Sequence, residues 1–241
     1  VFGSWSVLWA ILGLLLIVLL ACALLPTEIE KQTPAPERTS GTMLQLLRQP
    51  VFLLFLLAGG LSSASHAVLY GFATLHWRSV GFSDTLIGAL WAEGVVAEII
   101  LFWLGNRLLS RFGAANLLAL GAAAGIVRWS AMGLSDSLGL ALLTQGLHAF
   151  TFGAAHLGAM HFITETVAPS HSASAQAIYA AFVAGIAMGI ASFFSGLLYA
   201  QFGGQAYFAM AAAAAAGSLI ATAYLFRDRF LRANDTRQKG P

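Results

Sequence analysis

The chain has 241 residues, of which 59% are apolar and only 9% are charged, whereas a soluble globular domain carries about 25% charged residues. A mean hydropathy of +0.79 agrees with this scarcity of charge. These values exclude a soluble enzyme, a nucleic-acid-binding module and a disordered segment, and they predict an all-α, polytopic membrane protein. The single cysteine, Cys22, lies in an apolar run, so the sequence predicts no disulfide framework. No metal site and no cofactor are expected.

Seven apolar stretches are each near or above the roughly 20 residues that a membrane-spanning helix needs. They cover residues 5–25, 51–75, 84–104, 114–133, 138–163, 173–200 and 204–226. Short segments with turn-forming residues separate the last six, and the seryl and aspartyl residues before the spans at 84 and 138 are natural helix caps. The predicted domains are a first helix at 1–25, a proline-rich cytoplasmic linker at 26–50, a six-helix unit at 51–226 and a basic cytoplasmic tail at 227–241.

The basic residues predict the orientation of these spans. If the proline-rich linker is cytoplasmic, ten of the twelve lysine and arginine residues lie on the cytoplasmic side. Arg78 alone falls on an outer loop, and Arg128 lies within a span. This asymmetry satisfies the positive-inside rule and predicts a cytoplasmic C-terminus.

One span, a long polar linker and six closely spaced spans form the pattern expected for part of a twelve-helix transporter. The chain begins at Val1, directly before an apolar span, so we interpret it as the downstream piece of a longer polypeptide. Two small-residue motifs, Gly121-x-x-x-Gly125 and Gly185-x-x-x-Gly189, are candidate contact faces between helices.

Several sequence runs resemble a known family. The loop GNRLLSRFG at 105–113 is similar to the cytoplasmic G-x-x-x-D-R-x-G-R-R loop of the major facilitator superfamily, although its aspartate is missing. The runs LWAEGVVAE at 90–98, GIVRW at 125–129 and QGLHAFTFGAAH at 145–156 resemble the phenylpropionate permease family of that superfamily, as does Tyr70-Gly71-Phe72 leading to Trp77. The resemblance extends over residues 43–226.

The resemblance implies helices six to twelve of a major facilitator fold: one helix, then the C-terminal six-helix half. It implies a bacterial inner-membrane symporter that imports a small aromatic acid such as 3-phenylpropionate together with protons. Its partners would be that solute, protons, the bilayer and the missing N-terminal half. Nucleosides or oligosaccharides are the alternative substrates, and a non-transporting structural subunit is the alternative function. No G-x-S-x-G or H-E-x-x-H string occurs, so no enzyme is predicted.

Ionisable residues inside the spans are candidates for a role in transport. Placing each of them near the bilayer centre costs at least about 2.5–3.5 kcal/mol of insertion free energy, so they are expected to serve a function. From a rise of about 1.5 Å per residue, Glu93 lies roughly 13 Å, Arg128 about 8 Å and His148 about 16 Å below the outer ends of their spans. We therefore expect these three to meet, with Glu98 and His156 deeper. Glu93 and Glu98 are about 140° apart around their helix and are expected to face different neighbours.

Proton coupling is one role for these residues. A carboxyl group in a low dielectric favours its neutral form, and a nearby arginine favours the charged form. Histidine titrates close to physiological pH and can pass the proton on. A conformational change that separates acid and arginine would thus load or release a proton. The predicted proton-coupling residues are Glu98, His148, Glu93 and His156.

Substrate binding is the second role. Arginine holds a carboxylate through a bidentate pair, and aromatic side chains stack on an aromatic substrate. The predicted substrate-binding residues are Arg128, Trp129, Trp91, Tyr70, His66 and Gln145. The structural alternatives remain open, namely an Arg128–Glu98 pair between helices and aromatic residues that anchor the membrane interface.

Overall fold

The computed structural model describes residues 4–24 and 42–238. The chain falls into two compact units, residues 1–38 and 39–241, which are treated separately here. Most of the predicted linker at 26–50 lies outside the described residues. The first unit contains helix α1, Ser4–Leu24. Its continuous apolar part, Leu8–Leu24, is at the lower end of the roughly 17–25 residues that cross a bilayer.

The described part of the second unit consists of helices joined by short turns. Its helices are α2 Thr42–Leu47, α3 Pro50–Ala64, α4 Ala67–Ser79, α5 Asp84–Trp103, α6 Gly105–Phe112, α7 Ala114–Leu134, α8 Leu138–Gly146, α9 Ala155–Thr166, α10 Pro169–Ala180, α11 Met188–Phe202 and α12 Tyr207–Gln238. Two π-helical turns, Ala149–Ala154 and Ala181–Ala187, join α8 to α9 and α10 to α11, and a 3-10 turn, Gly203–Ala206, joins α11 to α12. The serine caps are confirmed, since Ser83 accepts from Leu86 N and Ser137 accepts from Leu140 N.

Within the described residues, five continuous helical stretches are long and apolar enough to cross a membrane. They are Pro50–Ser79, Asp84–Trp103, Ala114–Leu134, Leu138–Thr166 and Pro169–Ala223. The last has 55 residues, more than twice what one crossing needs. It reverses at Gly203, where a φ of 54° lies in the left-handed region that favours glycine. The stretch therefore holds two helices, α11 and the first part of α12. With the other four stretches they would make up the six spans predicted for this unit.

Helix contacts give the relative directions. The stretch 50–79 and the stretch 169–202 run parallel, because Gly59 packs near Tyr179 and Gly71 near Ser195. α12 runs antiparallel to α7: a Cβ on Gly133 would meet the ring of Phe208, and one on Gly125 would lie 3.0 Å from Ala214 Cβ. Large apolar clusters fill the space between these helices on either side of the polar centre.

The two small-residue motifs have different environments. A Cβ at Gly121 would lie 2.8 Å from Phe150 O, so Gly121 and Gly125 form a true helix contact. Gly185 and Gly189 face open space in the described part of the chain. Only the first motif is confirmed as a packing face.

Three irregularities in the spanning helices were not predicted. The stretch 50–79 is interrupted at Ser65 and His66, where Ser65 Oγ donates to Ser62 O at 2.6 Å. A serine that bonds back to its own helix bends it. The other two irregularities are the π-helical turns, which are frequent at functional sites.

Two segments predicted to be irregular are helical. α2 lies within the predicted linker, and α6 forms where a loop was expected at 105–113. α6 is amphipathic, since Leu108 and Leu109 pack against the core while Arg107 and Arg111 are exposed. We call the end of the bundle with Arg48, Arg107 and Arg111 the basic end, and the end with the turns at 80–83, 135–137 and 203–206 the distal end.

Candidate functional site

Most of the buried polar side chains lie together where α3–α4, α7 and the α8–α9 stretch meet. They are Ser62, Ser65, His66, Arg128, Thr144, Gln145 and Thr151, each at most 4% exposed. The helix irregularities contribute directly, because His66 lies at the kink between α3 and α4 and Thr151 lies within a π-helical turn. We call Arg128, His148, Thr151, Gln145 and Glu98 the central cluster.

Arg128 is completely buried, and its partners are all uncharged acceptors. Nη1 donates to Thr151 Oγ1 at 2.8 Å and lies 3.0 Å from His148 Nδ1, and Nη2 donates to Gln145 Oε1 at 3.2 Å. The guanidinium carbon lies 4.6 Å from the centre of the Trp129 ring, a cation–π contact. Among the described residues no carboxylate lies within ion-pair distance of Arg128. The cluster therefore holds a buried cation without an anionic partner, which is a costly arrangement.

His148 stands between this arginine and Glu98. Because a guanidinium only donates, His148 Nδ1 accepts from Arg128, and the ring proton of the neutral histidine is on Nε2. Nε2 lies 3.6 Å from Glu98 Oε2, slightly beyond hydrogen-bond distance. The structural alternative of a direct Arg128–Glu98 pair is thus not observed; instead three groups form a row, with the histidine proton directed toward the carboxyl group.

Thr151 connects Arg128 to a second histidine. His66 Nδ1 lies 3.0 Å from Ser62 O, a pure acceptor, so Nδ1 carries the proton and Nε2 accepts. Thr151 Oγ1 lies 3.2 Å from that Nε2. The threonine hydroxyl therefore accepts from Arg128 and donates to His66, which uses both of its capacities.

A cavity of about 520 Å³ adjoins the central cluster, within the roughly 300–1,000 Å³ of small-molecule sites. Its ring-bearing walls are Tyr70, Phe152, Tyr179, His66 and His156, and its polar walls include Ser62, Ser63, Thr151 and Gln176. Phe152 stacks on His148 with ring centroids 5.5 Å apart and on His156 at 5.9 Å. The cavity is thus mainly apolar, with aliphatic and aromatic walls, and its polar groups include those of Thr151 and His66.

The predicted substrate-binding residues either line the cavity, lie directly behind its lining, or pack elsewhere between the helices. Tyr70 and His66 line the cavity. Gln145 and Arg128 lie outside its lining, and Thr151 contacts both Arg128 and the cavity.

The two predicted tryptophans contribute no wall to this cavity. Trp129 is fully buried and its Nε1 donates to Ser65 Oγ at 3.0 Å. Trp91 donates to Thr74 Oγ1 at 3.0 Å and packs edge-on against Trp77. Tyr70 stacks between His66 and Trp91.

The structure corrects the predicted meeting of Glu93, Arg128 and His148. Glu98 approaches His148. Glu93, which lies more than one helical turn before Glu98 on α5, approaches Gly146 instead. The reason is packing: Gly94 abuts Gln145 and His148, and Glu98 lies four residues further on the same helix face. The expectation that the two glutamates face different neighbours is also wrong, because both approach the stretch that begins at Leu138.

The cavity residues that were not among the predicted site residues include Thr151, Phe152, Gln176 and Tyr179. Phe152 shares the i, i+4 spacing that joins His148 to His156, so a helical-face analysis of that span could have found it. Thr151 offers no such signal, because its role depends on contacts with two other helices.

Comparison with known proteins agrees with this architecture. Residues 2–210 match the MFS_1-like family. The "Probable 3-phenylpropionic acid transporter" of Escherichia coli (strain K12) is 38% identical over 157 residues, which make up 65% of this chain and 41% of that protein. The chain thus spans less than half the length of the curated relative that it matches. Because the family match covers most of its residues, the chain belongs to the MFS_1-like family of major facilitator superfamily transporters.

Proposed function

We propose that this chain forms part of a proton-coupled symporter that imports a small aromatic acid. The observation that carries the proposal is Arg128, which is fully buried beside a cavity and has only uncharged hydrogen-bond partners. A buried cation in a membrane protein needs compensation. An anionic substrate in the cavity would supply it.

The substrate class follows from the cavity walls. Tyr70, Phe152 and Tyr179 offer aromatic faces, which favour an aromatic ring. The acid group would lie near Thr151 and His66, one hydroxyl away from the Arg128 guanidinium. The name of the curated relative, a probable 3-phenylpropionic acid transporter, makes 3-phenylpropionate the first substrate to test.

Proton coupling is assigned to Glu98 through His148. The Glu98 side chain is 21% exposed and that of His148 is 12% exposed, so the carboxyl group is the one nearer to water. A substrate anion that engages Arg128 would free His148 Nδ1 to take up a proton, and the ring could then pass its Nε2 proton to the Glu98 carboxylate. Glu93 and His156 remain secondary candidates, since among the described residues only Glu98 brings a carboxyl group close to the His148 ring nitrogen.

The complete transporter would work by alternating access between two halves, of which the helices at 50–223 form one. The basic end, with Arg107 and Arg111 on α6, would face the cytoplasm of a bacterial cell by the positive-inside rule. The proposed partners are the substrate, protons and the N-terminal half of the same protein.

The test is uptake of radiolabelled 3-phenylpropionate by proteoliposomes that contain the full-length protein, with and without an inward proton gradient. We expect accumulation only with the gradient, and competition by other aromatic acids. Uptake that ignores the gradient would remove the proton coupling. Competition by nucleosides or oligosaccharides instead of aromatic acids would reassign the substrate, and no uptake of any of them would favour a structural subunit.

A further inference from the structure

Thr151 occupies a special position among the partners of Arg128. Of the three side chains that accept hydrogen bonds from the guanidinium in the described structure, Thr151 lines the cavity, whereas His148 and Gln145 do not. It is 2% exposed and lies 2.8 Å from Arg128 Nη1. A solute that contacts Thr151 in the cavity therefore lies one side chain away from the charge of Arg128.

The chemistry of residue 151 decides what remains of that charge. A hydroxyl accepts one hydrogen bond from the guanidinium and leaves its positive charge in place. A carboxylate at the same distance would form an ion pair and neutralise it. Because the other acceptors, His148 Nδ1 and Gln145 Oε1, are also uncharged, the residue at 151 decides whether the guanidinium has a charged hydrogen-bond partner.

We propose that Thr151 determines the charge specificity of the cavity: its neutral side chain keeps Arg128 available to attract an anionic substrate. This inference rests on the proposed function and adds a residue to it. It assigns the preference for acids to the absence of charge at 151 and not to the hydroxyl group itself.

Asp and Asn at position 151 form a matched pair, since they have nearly the same size and differ in charge. Thr151→Val retains the shape of threonine and removes the hydroxyl. Each variant of the full-length protein, purified in detergent, is titrated with 3-phenylpropionate and with the uncharged 3-phenylpropanamide. The measured quantity is the ratio of the two affinities, because a general loss of packing lowers both and leaves the ratio unchanged.

The expected result is a preference for the acid in the wild type, in T151N and in T151V. In T151D that preference falls by about 100-fold, because a fixed negative charge opposes the substrate anion by several kcal/mol, and 1.4 kcal/mol is tenfold in affinity. Amide binding by T151D shows that the variant is folded. If T151D does not fold, Thr151→Glu and Thr151→Gln form the same matched pair, and the acid preference of T151E is expected to fall relative to that of T151Q.

Two results would overturn the inference. One is an acid preference in T151D equal to that in T151N, and the other is loss of the preference in T151N or T151V, which would make the hydroxyl the determinant. The proposed function fails differently: the wild type would then show no preference for the acid over the amide.

Discussion

The described part of the molecule contains two clusters in which a histidine links charged or polar groups from different helices, and their polar groups differ in how completely they are hydrogen-bonded. The central cluster surrounds Arg128. The second, which we call the distal cluster, consists of His76, Asp136 and Tyr199 at the distal end. Comparing them separates a structural contact from a candidate mechanism.

The distal cluster is fully paired. His76 Nε2 lies 2.8 Å from Asp136 Oδ1, and because a carboxylate only accepts, that nitrogen donates. For a neutral ring, Nδ1 then accepts from Tyr199 OH at 3.0 Å. The Asp136 side chain is 49% exposed, so water shares in its solvation. The three residues tie the end of α4 to the turn at 135–137 and to the end of α11.

The central cluster has the opposite character. Its cation is buried at 0% exposure and meets only uncharged acceptors, and its nearest acid in the row, Glu98, is 3.6 Å from the intervening histidine. Arg128 Nε and Gln145 Nε2 have no hydrogen-bond partner in the described part of the chain. Buried polar groups normally have hydrogen-bond partners. We therefore interpret the central cluster as a ligand site and the distal cluster as a structural contact that holds helices together.

The largest expected effect is that of Arg128→Gln. Removing the buried charge takes away the partner of the substrate anion, and hydrogen-bonded charge pairs of this kind are worth about 2–5 kcal/mol on truncation. Initial rates of 3-phenylpropionate uptake at low substrate concentration should fall by at least about 30-fold. Arg78→Gln, which removes an exposed arginine paired with Asp84, is the matched control and should retain uptake. Equal losses in the two variants would contradict a specific role of the central cluster in binding the substrate.

The next effect is that of Glu98→Gln, which removes the titrating carboxyl group and keeps its size. Gradient-driven accumulation should be lost, while exchange of labelled for unlabelled substrate across the membrane continues, since exchange needs no net proton movement. Glu93→Gln is the control from the same helix and should still accumulate substrate. Accumulation by E98Q to the wild-type level would exclude Glu98 as the proton carrier.

A small effect is expected at the distal cluster. Asp136→Asn weakens a partly exposed, charge-assisted hydrogen bond and should cost about 1 kcal/mol of stability. The apparent melting temperature of the purified protein should fall slightly, with uptake and its pH dependence unchanged. Asp84→Asn, at the more exposed pair with Arg78, should cost less than about 0.5 kcal/mol. A changed proton dependence in D136N would show that the distal cluster takes part in coupling.

Much of the fold could be predicted because bilayer thickness constrains it. Runs of about 20 apolar residues with polar separators have few other solutions, so the spans and the caps at Ser83 and Ser137 follow from the sequence. The helix at 105–112 was missed because its polar face has the composition of a loop. The kink at Ser65 and the two π-helical turns were missed because they depend on single hydrogen bonds within otherwise regular helices.

The sequence identified the ionisable residues of the site, but it did not identify which of them contact one another. Arg128, His148 and Glu98 stand out because charge is scarce in the spans. Helix rise gave depth along each span and could not give the rotation and offset between helices, which Gly94 sets by its close approach to His148. For the same reason Glu93 was expected where Glu98 lies. Thr151 is inconspicuous in sequence, and only the three-helix contact reveals it.

The central claim is that Arg128 supplies the charge that selects an acid. A double-mutant cycle tests it most directly, combining wild type and R128Q of the full-length protein with 3-phenylpropionate and 3-phenylpropanamide as ligands. We predict a coupling energy of at least about 2 kcal/mol between the guanidinium and the carboxylate. A coupling energy near zero, with both ligands weakened equally by R128Q, would contradict the account and leave Arg128 as a structural residue.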